Sequence, residues 1–171
     1  KAFFKSEELK WYLIAVFGAI AIIAVNIIPF NNGDVTRSIR DSAFQVASVV
    51  TTTGYATADF NLWPTLSKML LVMLMFMGAM AGSTGGGIKT VRIVIIIKAI
   101  RREIDKILHP RRVKSVKIDG NVVEEETISG VFIFIFAYIV IALIAIFIIS
   151  FDNFDVTTTV TSVIATLSNI G

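Results

Sequence analysis

The segment Ser48-Val-Val-Thr-Thr-Thr-Gly-Tyr55 carries the residue types that can coordinate a bare cation. A dehydrated ion needs oxygen dipoles in place of its water. The backbone carbonyls of an extended Thr/Gly segment supply them where glycine permits unusual torsions. Thr51, Thr52, Thr53, Gly54 and Tyr55 therefore read as the turn of a re-entrant pore loop. Threonine-rich turns ending in glycine are also ordinary loop chemistry, so the flanking elements must decide. Two more stretches stand out: Gly82-Ser83-Thr84-Gly85-Gly86-Gly87, with Lys89 just beyond it, and Ser168-Asn169-Ile170-Gly171.

The elements that would position these residues belong to a membrane protein. Hydrophobic residues make up 55% of the 171 and charged residues 17%, too apolar a balance for a typical soluble domain. Residues 11–30 and 127–151 contain no charge, and each is long enough to cross a hydrocarbon core as helix. A third apolar stretch, Met69 to Ile88, continues past Lys89 and Arg92 through Ile97. With no cysteine, disulfides and thiolate metal sites are excluded. The lone His109, followed by Pro110 among basic residues, reads as a surface residue at a helix end.

The net charge of +3 matters less than its distribution. Lys98, Arg101, Arg102, Lys106, Arg111, Arg112, Lys114 and Lys117 cluster after the third stretch, and Lys1, Lys5 and Lys10 precede the first. By the positive-inside rule residues 1–10 and 98–126 are cytoplasmic, and 31–41, 59–63 and 152–155 lie outside. The basic clusters report topology, not nucleic-acid binding.

Between the first two spans, 34–50 has the length of a half-helix, with Asp34 or Thr36 as N-cap. Its C-terminal end would turn partial negative charge toward a cation. The turn 51–55 then climbs to Trp63-Pro64, where Trp63 has the place of an interfacial aromatic. Residues 65–107 are too long for one span; as straight helix, 65–103 alone would reach roughly 58 Å. The break is expected at 82–87, where four glycines in six residues each cost on the order of 1 kcal/mol against alanine. Non-helical backbone at that depth needs burial in protein or a water-lined cavity. Lys89, attached to the break, would oppose cations near the inner mouth or pair with a carboxylate, whereas Arg92 reads as snorkelling to the interface. Residues 113–123 form a hairpin around Asp119-Gly120. After the span 127–151, residues 156–167 form a second half-helix ending at Ser168. Placing Gly171 over Gly54 gives an offset of 117, at which span, outer loop, half-helix and glycine turn coincide, and the architecture begins again.

The glycine cluster misses the phosphate-loop pattern by one residue, Ile88 between Gly87 and Lys89, and reads as following a Met/Leu-rich spanning segment instead of a β-strand. Close helix packing by small residues is a plainer reading of it and is compatible with a pore-facing role.

Four ordered motifs carry a family resemblance. Thr51-Thr-Thr-Gly-Tyr55, Gly82 to Lys89, Arg101-Arg-Glu-Ile through His109-Pro110 with the following hairpin, and Ala165 to Gly171 together resemble the Trk-type potassium uptake proteins of the Trk/Ktr/HKT superfamily. The triple glycine and the His-Pro hairpin favour the Trk branch over Ktr. The resemblance implies four span–pore loop–span units in one polypeptide, a filter of four glycine turns and an intramembrane loop acting as gate. It implies a prokaryotic inner-membrane homodimer with a cytosolic nucleotide-binding partner, TrkA, no enzyme activity, and no cofactor beyond K+ as cargo. Thr52, Thr53, Gly54 and Tyr55 match the third filter segment. Ser168, Asn169, Ile170 and Gly171 match the fourth, with Ser168-Asn169 where the family usually has Asn-Asn. Gly82, Ser83, Thr84, Gly85, Gly86, Gly87 and Lys89 match the gate.

The expected fold is thus an all-α membrane protein with re-entrant half-helices, a broken second helix and a small cytosolic hairpin. Its parts are a complete unit at 1–108 (half-helix 34–50, filter 51–55, broken helix 65–107), a connector at 109–126 and an incomplete unit at 127–171. The chain is expected to be a fragment of a longer polypeptide. Two readings from other classes are a non-conducting membrane assembly subunit, which predicts tolerance at Gly54, and a nucleotide-binding membrane protein, which predicts phosphate binding at 82–90.

Overall fold

A computed structural model of the chain describes residues 6–109 and 114–170. The fold is all-α, with two very small two-stranded sheets. Helix α1 (Glu7–Ile27) begins with Glu7 and Glu8 in its first turn, where carboxylates favour the positive end of the helix dipole. It starts four residues before the uncharged run and ends three residues before that run does. The chain leaves through Asn32 and Gly33, both at positive φ.

Helix α2 (Val35–Val50) starts at Asp34, whose carboxylate accepts the Arg37 amide at 2.9 Å; Asp34, not Thr36, is the cap. A single turn of 3-10 helix at Phe60–Leu62 leads to α3 (Thr65–Phe76). Ala19, Ile23 and Ile27 of α1 pack with Val46, Val49 and Val50 of α2 and with Leu71 and Leu74 of α3. Trp63 is 3% exposed in this same cluster, so it anchors the α2–α3 connection inside the protein and does not face the interface. Two polar contacts support this core: Ser67 Oγ of α3 donates to Asn26 Oδ1 of α1 at 2.7 Å, and in the loop before α2 the buried Asn31 Nδ2 donates to Ser38 Oγ at 3.0 Å.

The third apolar stretch is not one helix. At 12 residues, α3 measures about 18 Å, and the chain leaves helical geometry at Met77, before any residue of the glycine cluster. The break extends over 77–89. Strand β1 (Met77–Gly78) pairs in parallel with β2 (Ile88–Lys89), Met77 opposite Ile88 and Gly78 opposite Lys89. Gly78 allows this crossing, because a Cβ there would lie 2.3 Å from the Gly86 carbonyl oxygen. Thr90 seals the base by donating its hydroxyl to the Gly78 carbonyl at 3.1 Å. Helix α4 (Thr90–Leu108) then runs to His109, which is exposed.

Strands β3 (Lys117–Ile118) and β4 (Asn121–Val122) are antiparallel, joined by Asp119 (φ 51°) and Gly120 (φ 85°), the pair of positive torsions a two-residue hairpin demands. Val116 of the hairpin base joins Ile95 and Ala99 of α4 and Ile128 and Val131 of the last long helix in a second cluster, with Ile118 and Val123 against it. That helix, α5 (Glu125–Ile149), continues through a short 3-10 turn to Asp152, and α6 (Val156–Leu167) follows. Asp155 caps α6 by accepting from the Thr158 amide and hydroxyl, and the hydroxyl bond, followed by the amide bond, holds its carboxyl below the ordinary range.

Helices α1 and α5 are long and apolar enough to cross a membrane. Only 6% of the most apolar window of α5 is covered by the rest of the chain; Phe136, Leu143, Phe147 and Ile148 face outward, as a bilayer or further protein requires.

Candidate functional site

Both short capped helices end in the same way. At the end of α2, Thr52 has φ 58°; its amide bonds to the Val49 carbonyl at 3.1 Å, and the Thr53 amide to the Ser48 carbonyl at 2.9 Å. At the end of α6, Asn169 has φ 55°; its amide bonds to Thr166 at 3.1 Å, and that of Ile170 to Ala165 at 2.9 Å. Each is a Schellman termination. The expected extended segment is therefore a tight turn through Thr51 and Thr52, followed by irregular chain from Thr53 to Ala56. A β-branched residue in the left-handed region costs roughly 1–2 kcal/mol, and the two capping bonds offset it.

The termination leaves oxygens over. Among the described residues none donates a hydrogen bond to the carbonyls of Thr51, Thr52, Thr53 or Gly54, or to those of Ser168 and Asn169. Sequence reasoning missed the residue that organises the first turn. The Ser48 carbonyl accepts both the Thr53 and Gly54 amides, and its hydroxyl donates to the Tyr55 carbonyl at 2.6 Å. A serine seven residues before the carbonyl it holds is visible in the sequence, but only once the helix end is known. Gly54 sits at φ 81°, where a side chain is strained, and the Tyr55 ring is exposed. Gly171 lies outside the described residues, as do 1–5 and 110–113 of the basic segments.

The glycine loop meets both turns. Oxygen Oγ1 of Thr52 lies 3.5 Å from where a Cβ on Gly85 would stand. A Cβ on Gly86 would stand 2.1 Å from the Ser168 carbonyl oxygen and 2.9 Å from the Asn169 Cβ, so the loop fits there only without a side chain. Gly87, at φ 72°, turns the chain back against Gly78. Gly82, Ser83 and Thr84 are exposed. Beside these contacts a cavity of about 420 Å³ is lined by Thr51, Thr52, Asn169, Tyr12 and loop residues including Ser83 and Gly85. The C-terminal ends of α2 and α6 adjoin it, a source of negative potential at the cavity.

Lys89 folds back on the loop it ends. Its ammonium donates to the Ser83 carbonyl at 2.7 Å and to the Gly85 carbonyl. Among the described residues it pairs with no carboxylate; it pins the loop through backbone oxygens. From the other side Glu8 accepts the Ala81 amide at 2.7 Å, while Glu7 pairs with Lys98, whose ammonium also bonds the Lys117 carbonyl at 2.7 Å. The Glu7 amide donates to Asp119 at 2.6 Å. The first turn of α1 thereby joins the loop, α4 and the hairpin. Arg92, expected to snorkel, stacks its guanidinium 3.9 Å from the Phe134 ring centroid. At the far end of α4, Arg102 pairs with Glu125 and Glu103, and hydrogen bonding to Glu125 above all raises its already high pKa.

Residues 2–171 match the family described as TrkH, cation transport protein. The chain belongs to the TrkH family. This TrkH-family chain is 32% identical over 169 residues to the Trk system potassium uptake protein TrkH of Halomonas elongata, covering 99% of the chain and 35% of that protein. To the TrkH of Escherichia coli K12 it is 31% identical over 173 residues, covering 100% of the chain and 36% of that protein. The crystal structure of the potassium transporter TrkH from Vibrio parahaemolyticus superposes with a TM-score of 0.90 at 27% identity, covering 98% of this chain and 36% of that one. The TrkH-family chain thus spans about a third of the length of these relatives. It is a multi-pass membrane protein of a transport family, not an enzyme family.

Proposed function

We propose that this chain supplies one span–pore loop–span unit and most of a second to a potassium uptake protein. In this reading α2 and α6 are re-entrant half-helices, and Thr52, Thr53, Gly54 and Tyr55 with Ser168, Asn169, Ile170 and Gly171 contribute carbonyl oxygens to the filter. The observation that carries it is the pair of matching helix terminations, each with carbonyls left unbonded among the described residues, converging with the glycine loop around one cavity. Partly dehydrated K+ is bound by such neutral oxygens in place of its water. The names of the relatives, potassium uptake proteins, agree with that cargo.

Residues 82–87 with Lys89 form the gate, closing the cavity from the cytosolic side and opening when α4 withdraws. The Lys/Arg bias puts 1–10 and 98–126 on the cytosolic side, and by resemblance the membrane is a prokaryotic inner membrane. By resemblance the intact protein is a homodimer controlled by TrkA.

The test uses the intact transporter that carries this chain. Replacing Gly54 by valine forces a β-branched residue to φ 81° and should lower discrimination of K+ over Na+ in a flux assay. Unchanged discrimination refutes the filter reading.

A further inference from the structure

Between Gly130 and Ile149, α5 has one polar side chain, Tyr138. A phenol in the middle of a spanning helix needs a hydrogen-bond partner, since lipid offers none. Its partner is Ser168, with the two hydroxyls 3.0 Å apart. Ser168 is fully buried and forms the C-cap of α6, directly before Asn169 in the left-handed region.

The two turns are held by different means. In the first, the Ser48 hydroxyl closes the turn from within its own helix by bonding the Tyr55 carbonyl. At the offset of 117, Ala165 stands in place of Ser48 and has no hydroxyl. The second turn therefore takes its side-chain anchor from the neighbouring span. The same Ser168 has its carbonyl oxygen against Gly86 of the loop, so whatever fixes Ser168 also fixes the face the loop meets. The Tyr138 ring is held in turn. Phe76, at the end of α3, meets it edge-on at 6.4 Å, and Phe134, which carries Arg92 of α4 on its face, has its centroid 6.4 Å away.

We infer that Tyr138 is a positioning residue for ion selectivity: its hydroxyl fixes Ser168, and with it the second filter turn and the surface on which the glycine loop rests. The inference depends on the filter reading given above. It assigns to α5 a part in discrimination that its apolar sequence does not advertise.

The experiment compares the intact transporter with its Tyr138→Phe, Ser168→Ala and double variants, reconstituted at equal amounts in vesicles, with K+ uptake measured against competing Na+. Tyr138→Phe keeps the ring packing and removes one oxygen. The expected result is an apparent KM for K+ raised about two- to tenfold, the range of one neutral hydrogen bond, with a matching fall in K+ over Na+ discrimination and maximal rate unchanged. Ser168→Ala should give the same shift, and the double variant should add nothing to either. Wild-type KM and discrimination in Tyr138→Phe, or multiplicative effects in the double variant, overturn the inference while leaving the filter reading intact. A wild-type protein without K+-selective uptake overturns both.

Discussion

Gly86→Ala tests most directly whether the glycine loop closes the path. The new methyl carbon would lie 2.1 Å from the Ser168 carbonyl oxygen and 2.6 Å from its carbon. An ordinary C···O contact is about 3.3 Å, so loop and turn must separate by roughly 1.2 Å. Ser168 is the fixed side: it is fully buried, its amide bonds to Ile164 at 2.9 Å, and Tyr138 holds its hydroxyl. The loop is exposed from Ala81 to Thr84 and is held by Lys89 and Glu8, so the loop moves. Overpacking of this kind costs about 1–3 kcal/mol. If that cost falls on the closed position alone, the ratio of open to closed rises about 5- to 150-fold. The assay is K+ or Rb+ uptake by the reconstituted intact transporter without its cytosolic partner. Gly82→Ala is the control, since nothing lies within 4 Å of that site. Uptake no greater in Gly86→Ala than in Gly82→Ala, with both proteins folded, refutes the gate and leaves the loop as packing.

Lys89→Met keeps the side-chain length but removes both bonds to the loop carbonyls; uptake without the partner should rise and regulation should weaken, whereas wild-type regulation would make Lys89 a bystander. The Asp155 cap gives a signed pH dependence. Its pKa is lowered from the ordinary value, so its stabilisation is present at neutral pH and is lost as pH falls through the lowered value; Asp155→Asn should lower stability at about pH 5–7 and converge with the wild type at low pH, as measured by thermal unfolding in detergent. A cysteine at Lys114 should react with an impermeant reagent in inside-out vesicles and not in intact cells; the reverse pattern inverts the proposed topology.

Local rules read the ends of elements well where one side chain decides them. Asp34, one of the two caps offered for α2, and Asp119-Gly120 in the hairpin each work through bonds or torsions within a few residues; the Asp155 cap of α6 works the same way but was not read from the sequence. The glycine break was legible in kind but not in extent. Glycines mark 82–87, yet the helix ends at Phe76 because β1 and β2, eleven residues apart in register, pair across the loop. Nothing local in Met77-Gly78 announces a partner at Ile88-Lys89. The turn at Thr52 was hidden for the opposite reason. Threonine disfavours the left-handed region, and only the two helix-capping bonds outweigh that preference. Trp63 looked interfacial from its place beside Pro64, but it belongs to a cluster drawn from α1, α2 and α3, which sequence spacing alone does not bring together.

The short lengths of α3 and α6 bear on how the chain enters its bilayer. At 12 residues each, about 18 Å, neither reaches across a hydrocarbon core of about 30 Å, and the open carbonyls beyond α2 and α6 cannot be left against lipid. Among the described residues α1 and α5 are the helices long and apolar enough to span the membrane by themselves. The shorter elements lean on these, α2 and α3 on the Ile23–Ile27 face of α1 and α6 on α5 and α3, so their stable insertion is expected to depend on those contacts. Substitutions in the Ile23, Val46 and Leu71 cluster should therefore reduce how much protein is inserted, while the molecules that do insert transport normally.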